Sequence, residues 1–194
     1  PANLAYADLG APNVRLCSVD GDADRIVYAY YDRHGAFRIL DGDKIAALLA
    51  AFVKGELLAA KPLLVEVPKL GVVQTAYANG AAAAYLASKH VAVTYAKTGV
   101  KYVHHEAEKF DVGVYFEANG HGTVLFDPAL LDQLRRLEAT KHPRDPPRAA
   151  LAVERLNAVA ALANQAVGDA LADALLVEAI LCVTRTTVQA WDAL

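Results

Sequence analysis

Apolar and polar positions change their rhythm along this chain, and the changes mark its elements. Near the start, short apolar runs are broken by acidic turns. Asn13–Val19 reads as a strand entering a loop, Ile26–Tyr31 as a strand leaving it, and Ala36–Leu40 as a third, with Gly35 at the turn, so that 26–40 forms a hairpin. From Asp41 the period becomes helical: Ile45, Leu48, Leu49 and Phe52 share one face, and Asp41-Gly42-Asp43 opens the helix with an aspartate as N-cap. Strands and helices then alternate. Strands are predicted over Leu63–Val67, with Leu70–Val73 extending or following it, and over Val91–Tyr95, Asp111–Phe116 and Thr123–Phe126. Helices are predicted over Ala81–Ser88 and Tyr102–Phe110, and from Asp127-Pro128 onward. Beyond a proline-broken linker, Lys141–Arg148, only helical spacing remains: roughly 148–166, 169–184 and 188–194. This order predicts an α/β fold, a mixed sheet with flanking helices and a helical C-terminal extension.

Composition narrows the function classes. The 194 residues are 55% hydrophobic, ample for a core, and the net charge of −3 with no basic block argues against nucleic-acid binding. No run of about 20 apolar residues suggests a membrane span, and no signal peptide precedes Pro1. Cys17 and Cys182 lack metal-ligand spacing and read as reduced core residues of a cytoplasmic protein. The chain has no initiator Met and ends inside a helical pattern, so a fragment of a longer protein is expected.

The chemistry concentrates in Asp20-Gly21-Asp22-Ala23-Asp24-Arg25. Three carboxylates this close repel one another unless a cation compensates, and oxygen ligands in a tight loop suit a hard ion such as Mg²⁺. A solvated acidic turn is the plainer alternative, but it needs neither a third aspartate nor an adjoining arginine between apolar strands. An EF-hand would place Gly and Glu where Arg25 and Tyr31 stand. A haloacid-dehalogenase-type phosphatase wants Thr or Val at Asp24; its later acidic motif is imitated by Gly168–Asp173, which follows a helical run rather than a strand. A second Asp-Gly-Asp, at 41–43, is explained by helix capping. His104 and His105 project about 100° apart on a helix and are read as surface or packing residues.

Asp-Gly-Asp-Ala-Asp-Arg, Lys97-Thr98-Gly99 and Glu117-Ala118-Asn119-Gly120-His121, in that order, resemble the α-D-phosphohexomutase superfamily. Gln74–Gly80, Lys97–Lys101 and Val188–Leu194 bring the match closest to its acetamido-sugar branch. The resemblance covers nearly the whole chain. It implies that 1–40 is the tail of domain two with the metal loop and that 41–194 is domain three, the sugar-binding domain. It further implies that domain one with its phosphoserine loop and domain four with its phosphate-binding loop lie elsewhere in the parent. Ser18 and Ser88, the only serines, sit in no matching motif.

The implied reaction interconverts N-acetylglucosamine 6-phosphate and 1-phosphate through a bisphosphate, for UDP-N-acetylglucosamine synthesis. Asp20, Asp22 and Asp24 are implied as Mg²⁺ ligands, Arg25 as a phosphate-binding fork and Lys97 as a proton donor or acceptor. Glu117, Asn119 and His121 are implied for the sugar. Each has a plainer alternative: an internal ion pair for Arg25, a solvated loop lysine for Lys97, a structural turn for Asn119. Because no nucleophile is present, a non-catalytic Mg²⁺ and sugar-phosphate binding module is the alternative to part of an isomerase, and a phosphatase is a weaker one.

Overall fold

A computed structural model describes residues 11–12 and 14–194. Three strands, β1 (Leu16–Val19), β2 (Ile26–Tyr31) and β3 (Phe37–Leu40), form an antiparallel sheet, with the acidic loop between β1 and β2. The chain then enters α1 (Gly42–Ala60), and a mixed sheet of order β5-β4-β6-β7 follows. In it β4 (Leu70–Thr75) lies parallel to β5 (Ala92–Ala96) and to β6 (Val112–Phe116), and β7 (Gly122–Phe126) runs antiparallel to β6. The remaining helices are α2 (Gly80–Ser88), α3 (Val100–Ala107), α4 (Pro128–Ala139), α5 (Pro147–Leu162), α6 (Ala170–Thr184) and α7 (Val188–Asp192).

Alternation along the strands divides the interior. Val72, Val114 and Val124 point into the main core with Ile45, Leu49 and Val53 of α1. Their neighbours Val73, Tyr115 and Leu125 face the other way and meet Val103 and Ala107 of α3. The mixed sheet therefore carries a helix on each face, as a largely parallel sheet requires. Within the α-layer, buried Glu56 accepts from Arg148 at 2.5 Å and Arg155 at 3.0 Å, which ties α1 to α5.

The three-stranded sheet buries its inner face in the same core: Ile26, Tyr28, Tyr30 and Leu40 are all under 5% exposed. Tyr28 meets Trp191 of α7 edge to face at 5.1 Å, Tyr30 donates to Asp192, and the Trp191 ring N–H donates to the Lys44 carbonyl. A continuous apolar contact thus joins this sheet to α1, α6 and α7, although a switch from strand to helical periodicity separates them in sequence.

Two expectations are corrected. Leu63–Val67 is not a strand: Lys61–Leu63 is a 3₁₀ turn with Pro62 in its first turn, and Val65 is 94% exposed. Pro62 and Pro68 bracket the run, and its β-branched and leucine side chains have no sheet to join. The strand begins instead at Leu70, in the segment read as an extension or successor. Cys17 and Cys182 are exposed rather than in the core, on an edge strand and the outer face of α6. No helix among the described residues is long and apolar enough to cross a membrane.

Candidate functional site

The loops that follow β4, β5 and β6 lie at the C-terminal ends of these parallel strands, where open α/β sheets bind ligands. After β6 the chain reverses through Glu117–His121. The Glu117 N–H donates to the His121 carbonyl and the Gly120 N–H to the Glu117 carbonyl, both at 2.9 Å, while the His121 N–H donates to Asn119 Oδ1 at 3.0 Å. Asn119 is exposed and closes the turn with its carbonyl; Gly120, at φ +90°, takes the left-handed position. Glu117 is nearly buried, and its Oε1 accepts from the Gly99 N–H at 3.2 Å, which holds the Lys97–Gly99 loop beside it.

The acidic loop abuts this reversal. The Ile26 N–H donates to the Gly120 carbonyl at 3.1 Å, and Arg25 and His121 form an antiparallel bridge. The approach is so close that a Cβ on Gly120 would lie 1.9 Å from the Ile26 carbonyl oxygen. A third segment completes the cradle: the Ala170 N–H, at the start of α6, donates to the Ala23 carbonyl, and Gly168 presses on the His121 ring.

Asp20, Asp22 and Asp24 each bring a carboxylate oxygen within 4.8 Å of the others. Asp20 Oδ1 accepts from the N–H groups of Asp24 and Arg25, each at 3.2 Å. Desolvation pushes the Asp20 carboxyl up, but these two N–H groups and the Arg25 charge outweigh it and hold it below the usual carboxylate range. Asp24 is divided. Its Oδ2 lies 3.2 Å from His121 Nδ1, whereas its Oδ1 is shielded from solvent with no hydrogen-bond partner among the described residues. Arg25 Nε stands 3.4 Å from that oxygen, within ion-pair range but without hydrogen-bond geometry, and 3.5 Å from Asp20 Oδ2. A shielded acceptor-only oxygen beside two exposed carboxylates fits a hard divalent cation that keeps some of its water.

The internal ion pair expected as an alternative for Arg25 is therefore formed. The side chain is still half exposed and borders a pocket of about 250 Å³ with Ser18, Asp20, Ile26, Val27 and Asn119. Lys97 is exposed at the end of β5, on the same rim, with no ionic partner among the described residues. The structure thus brings Asp20, Asp22, Asp24, Arg25, Asn119 and His121 together, sets Glu117 one hydrogen bond from the Lys97 loop, and leaves Lys97 free at the edge. A larger cavity of about 330 Å³, beside His104, Glu108 and Phe126, lies toward the other end of β6, where Phe126 pairs with Val112. His104 itself packs on Tyr115, 3.1 Å from its hydroxyl.

Sequence reasoning missed the part played by Gly168–Ala170. Gly168 was legible only as part of a phosphatase-like imitation; in the structure Asp169 caps α6, and Asp173 is buried, its carboxyl pushed up to about 8 by burial and by the Asp169 charge. The second Asp-Gly-Asp caps α1, as expected: Asp41 Oδ1 accepts from the N–H groups of Asp43 and Lys44.

The model of the family "Phosphoacetylglucosamine mutase AMG1, domain III" matches residues 41–186. Over 186 residues, 94% of this chain, it is 50% identical to the human phosphoacetylglucosamine mutase, of which it covers 32%. The Arabidopsis thaliana phosphoacetylglucosamine mutase is 45% identical over the whole chain, with 35% of that protein covered. The chain thus spans about a third of the length of these relatives. Aspergillus fumigatus N-acetylphosphoglucosamine mutase, solved in complex with GlcNAc-6P and magnesium, superposes with a TM-score of 0.87 at 43% identity, covering 100% of this chain and 36% of the other. With a family model matched across most of its length and a mixed sheet that superposes on solved mutases, the chain belongs to the phosphoacetylglucosamine mutase family, within the α-D-phosphohexomutase superfamily.

Proposed function

We propose that this chain is the metal-binding and sugar-binding part of an isomerase that interconverts N-acetylglucosamine 6-phosphate and N-acetylglucosamine 1-phosphate through a bisphosphate. The observation that carries the reading is the stitching of the Asp20–Arg25 loop to the Glu117–His121 turn by the Ile26–Gly120 hydrogen bond and the Asp24–His121 contact. On this reading the two loops form a cation cradle and a sugar loop side by side, at the rim where α/β sheets take ligands. Residues 1–40 are assigned to the end of domain two and 41–194 to domain three, in keeping with the family match beginning at 41. The phosphoserine and the second phosphate loop belong to parts of the parent outside these residues, and the parent is placed in the cytoplasm.

Asp20, Asp22 and Asp24 would hold Mg²⁺, which when bound supplies positive charge against the phosphoryl oxygens. Arg25 keeps its Nε on Asp20 and Asp24 and turns the rest of its planar fork toward the pocket, where it can clamp a phosphate. Glu117, with Oε1 on Gly99, has its second oxygen available to accept from a sugar hydroxyl. Asn119 spends its carbonyl on the turn and keeps its amide N–H₂ to donate to an acetamido carbonyl. Lys97, exposed on the rim, is assigned to hold or move the proton on the transferring hydroxyl oxygen.

The test is ³¹P NMR of sugar-phosphate interconversion by the full-length parent, primed with the bisphosphate and supplied with Mg²⁺. Asp22→Asn is expected to lower turnover by at least about a hundredfold. An unchanged rate would remove the metal loop from the reaction. Turnover by the 194-residue chain alone would refute the location of the phosphoserine elsewhere.

A further inference from the structure

We propose that Asp173 is a proton-controlled latch on the start of α6. While its buried carboxyl keeps its proton, the first turn of α6 stays seated and holds the Asp20–Arg25 loop; loss of the proton unseats that turn and releases the loop. The inference stands apart from the metal-site reading, since it concerns what fastens the loop and not what the loop binds.

Burial is the first observation. Asp173 is 1% exposed, and both of its carboxylate oxygens are shielded from solvent with no hydrogen-bond partner among the described residues. The other buried acids differ: Asp43 accepts from Asn79 and Gln74, and Glu56 from two arginines. A carboxylate charge held in such a place without donors or a cation costs far more than the neutral acid.

The surroundings are the second. On α6, Asp173 shares its inward face with Ala170, Leu176 and Val177. β2 brings Tyr28, whose hydroxyl donates to the Ala174 carbonyl at 3.4 Å, and β6 brings Tyr115. Burial above all raises both phenols, with Asp173 among the charges that add to the rise. α5 and α1 bring Arg155 and Glu56, but these bond each other, and Arg155 borders α6 further on, beside Leu176 and Ile180. Among the described residues no cation balances Asp173: burial, and then the Asp169 charge, push its carboxyl up to about 8.

Position is the third. The Asp173 N–H donates to the Asp169 carbonyl at 2.9 Å and closes the first turn of α6, while Asp169 Oδ1 accepts from the N–H groups of Leu171 and Ala172. The same turn offers the Ala170 N–H to the Ala23 carbonyl at 2.9 Å, in the middle of the Asp20–Arg25 loop. A carboxyl that leaves the interior when it ionises therefore takes the Ala170–Ala23 bond with it. A raised carboxyl contributes stability that is complete below its unfolded pKa, near 3.8, and is lost as pH rises through the folded one, near 8. Within that window each pH unit moves the ratio of released to seated turns about tenfold toward release.

Backbone amide exchange of the 194-residue chain reads the seating directly, followed by NMR from about pH 5 to about pH 9 and expressed as protection over an unstructured chain. Ala170 protection is expected to fall about tenfold per unit up to about pH 8 and then to level off. In Asp173→Asn, a neutral side chain of the same shape, it should stay flat. Val114, in a strand paired on both sides, reports opening of the whole fold and should exchange more slowly than Ala170 at every pH. The Asp173 carboxyl carbon should titrate near pH 8. This titration and the two amide profiles of the unsubstituted chain decide the matter without any variant having to fold. A flat Ala170 profile, the same fall in Asp173→Asn, Ala170 protection equal to that of Val114, or an Asp173 titration in the usual carboxylate range would each overturn the latch.

Discussion

The tripeptide Asp-Gly-Asp occurs twice in this chain, and its two copies do opposite things. At 20–22 it leads into a third aspartate and a strand. There Asp22 is exposed, Gly21 has nothing within 4 Å of where a Cβ would stand, and carboxylate oxygens converge with too few donors to satisfy them. At 41–43 it leads into α1, and the protein satisfies it. Asp41 caps the helix, while Asp43, 2% exposed, accepts from the Asn79 N–H at 2.6 Å and from Gln74 Nε2 at 3.3 Å. Gly42 there is jammed: a Cβ would lie 1.9 Å from the Glu117 carbonyl oxygen. A local acidic motif is left able to take a cation only where the fold leaves its oxygens short of donors; supplied with N–H groups, the same residues become a cap and a buried strut.

The glycines should break the comparison most sharply. Gly42→Ala forces the Glu117 backbone away from α1 and is expected to cost about 3 kcal/mol or more. Gly21→Ala should cost less than about 0.5 kcal/mol, since it meets open space. Urea unfolding of both variants measures the difference, and equal midpoints would refute the close packing of Gly42.

The aspartates give a smaller, crossed effect. Asp43→Ala strands the Asn79 N–H and is expected to cost about 2 kcal/mol with Mg²⁺ affinity unchanged. Asp22→Asn should leave stability intact and weaken Mg²⁺. The two copies also carry opposite pH signs. Desolvation raises Asp43 despite the Asn79 N–H and Gln74, with Asp41 adding to the rise, whereas donors lower Asp20. A raised carboxyl contributes stability that is complete below its unfolded pKa and is lost as pH rises through the folded one. A lowered carboxyl contributes above its unfolded pKa and loses this as pH falls through the folded one. Carboxyl NMR titration should therefore find Asp43 titrating above 3.8 and Asp20 below it. Both on one side would erase the contrast.

The smallest effect concerns backbone. Ala23, inside the Asp20–Arg25 loop, sits at φ +59°, a left-handed conformation that costs a residue with a Cβ. Ala23→Gly is expected to stabilise the chain by about 1 kcal/mol. The 41–43 copy has no non-glycine residue at positive φ to relieve. A loss of thermal stability in Ala23→Gly would show that loop flexibility in the unfolded chain outweighs the strain.

Local pattern determined much of this molecule because local physics decides it. The α1 face of Ile45, Leu48 and Leu49 is buried as its spacing predicts, Asp127-Pro128 does start α4, and strands β6 and β7 fall where apolar runs meet glycine turns. Caps, period and turn chemistry act within a few residues, so they can be read without the fold. The acidic loop was legible as a cation candidate on the same grounds.

Only the tertiary structure decided the rest, since partners distant in sequence set it. Leu63–Val67 has strand-like composition, but an apolar run becomes a strand only where neighbours offer a ladder; Val65 has none and is left in solvent. Cys17 and Cys182 look like core residues by type, yet the side of an edge strand and of a helix on which they stand put them outside. Nothing in the spacing shows that Tyr28 will meet Trp191, that Ala170 will hold Ala23, or that His121 will turn its ring to Asp24. Those contacts depend on how two sheets and α6 close on one another, and the free energy of that closure comes from the shared core rather than from any segment that contributes to it.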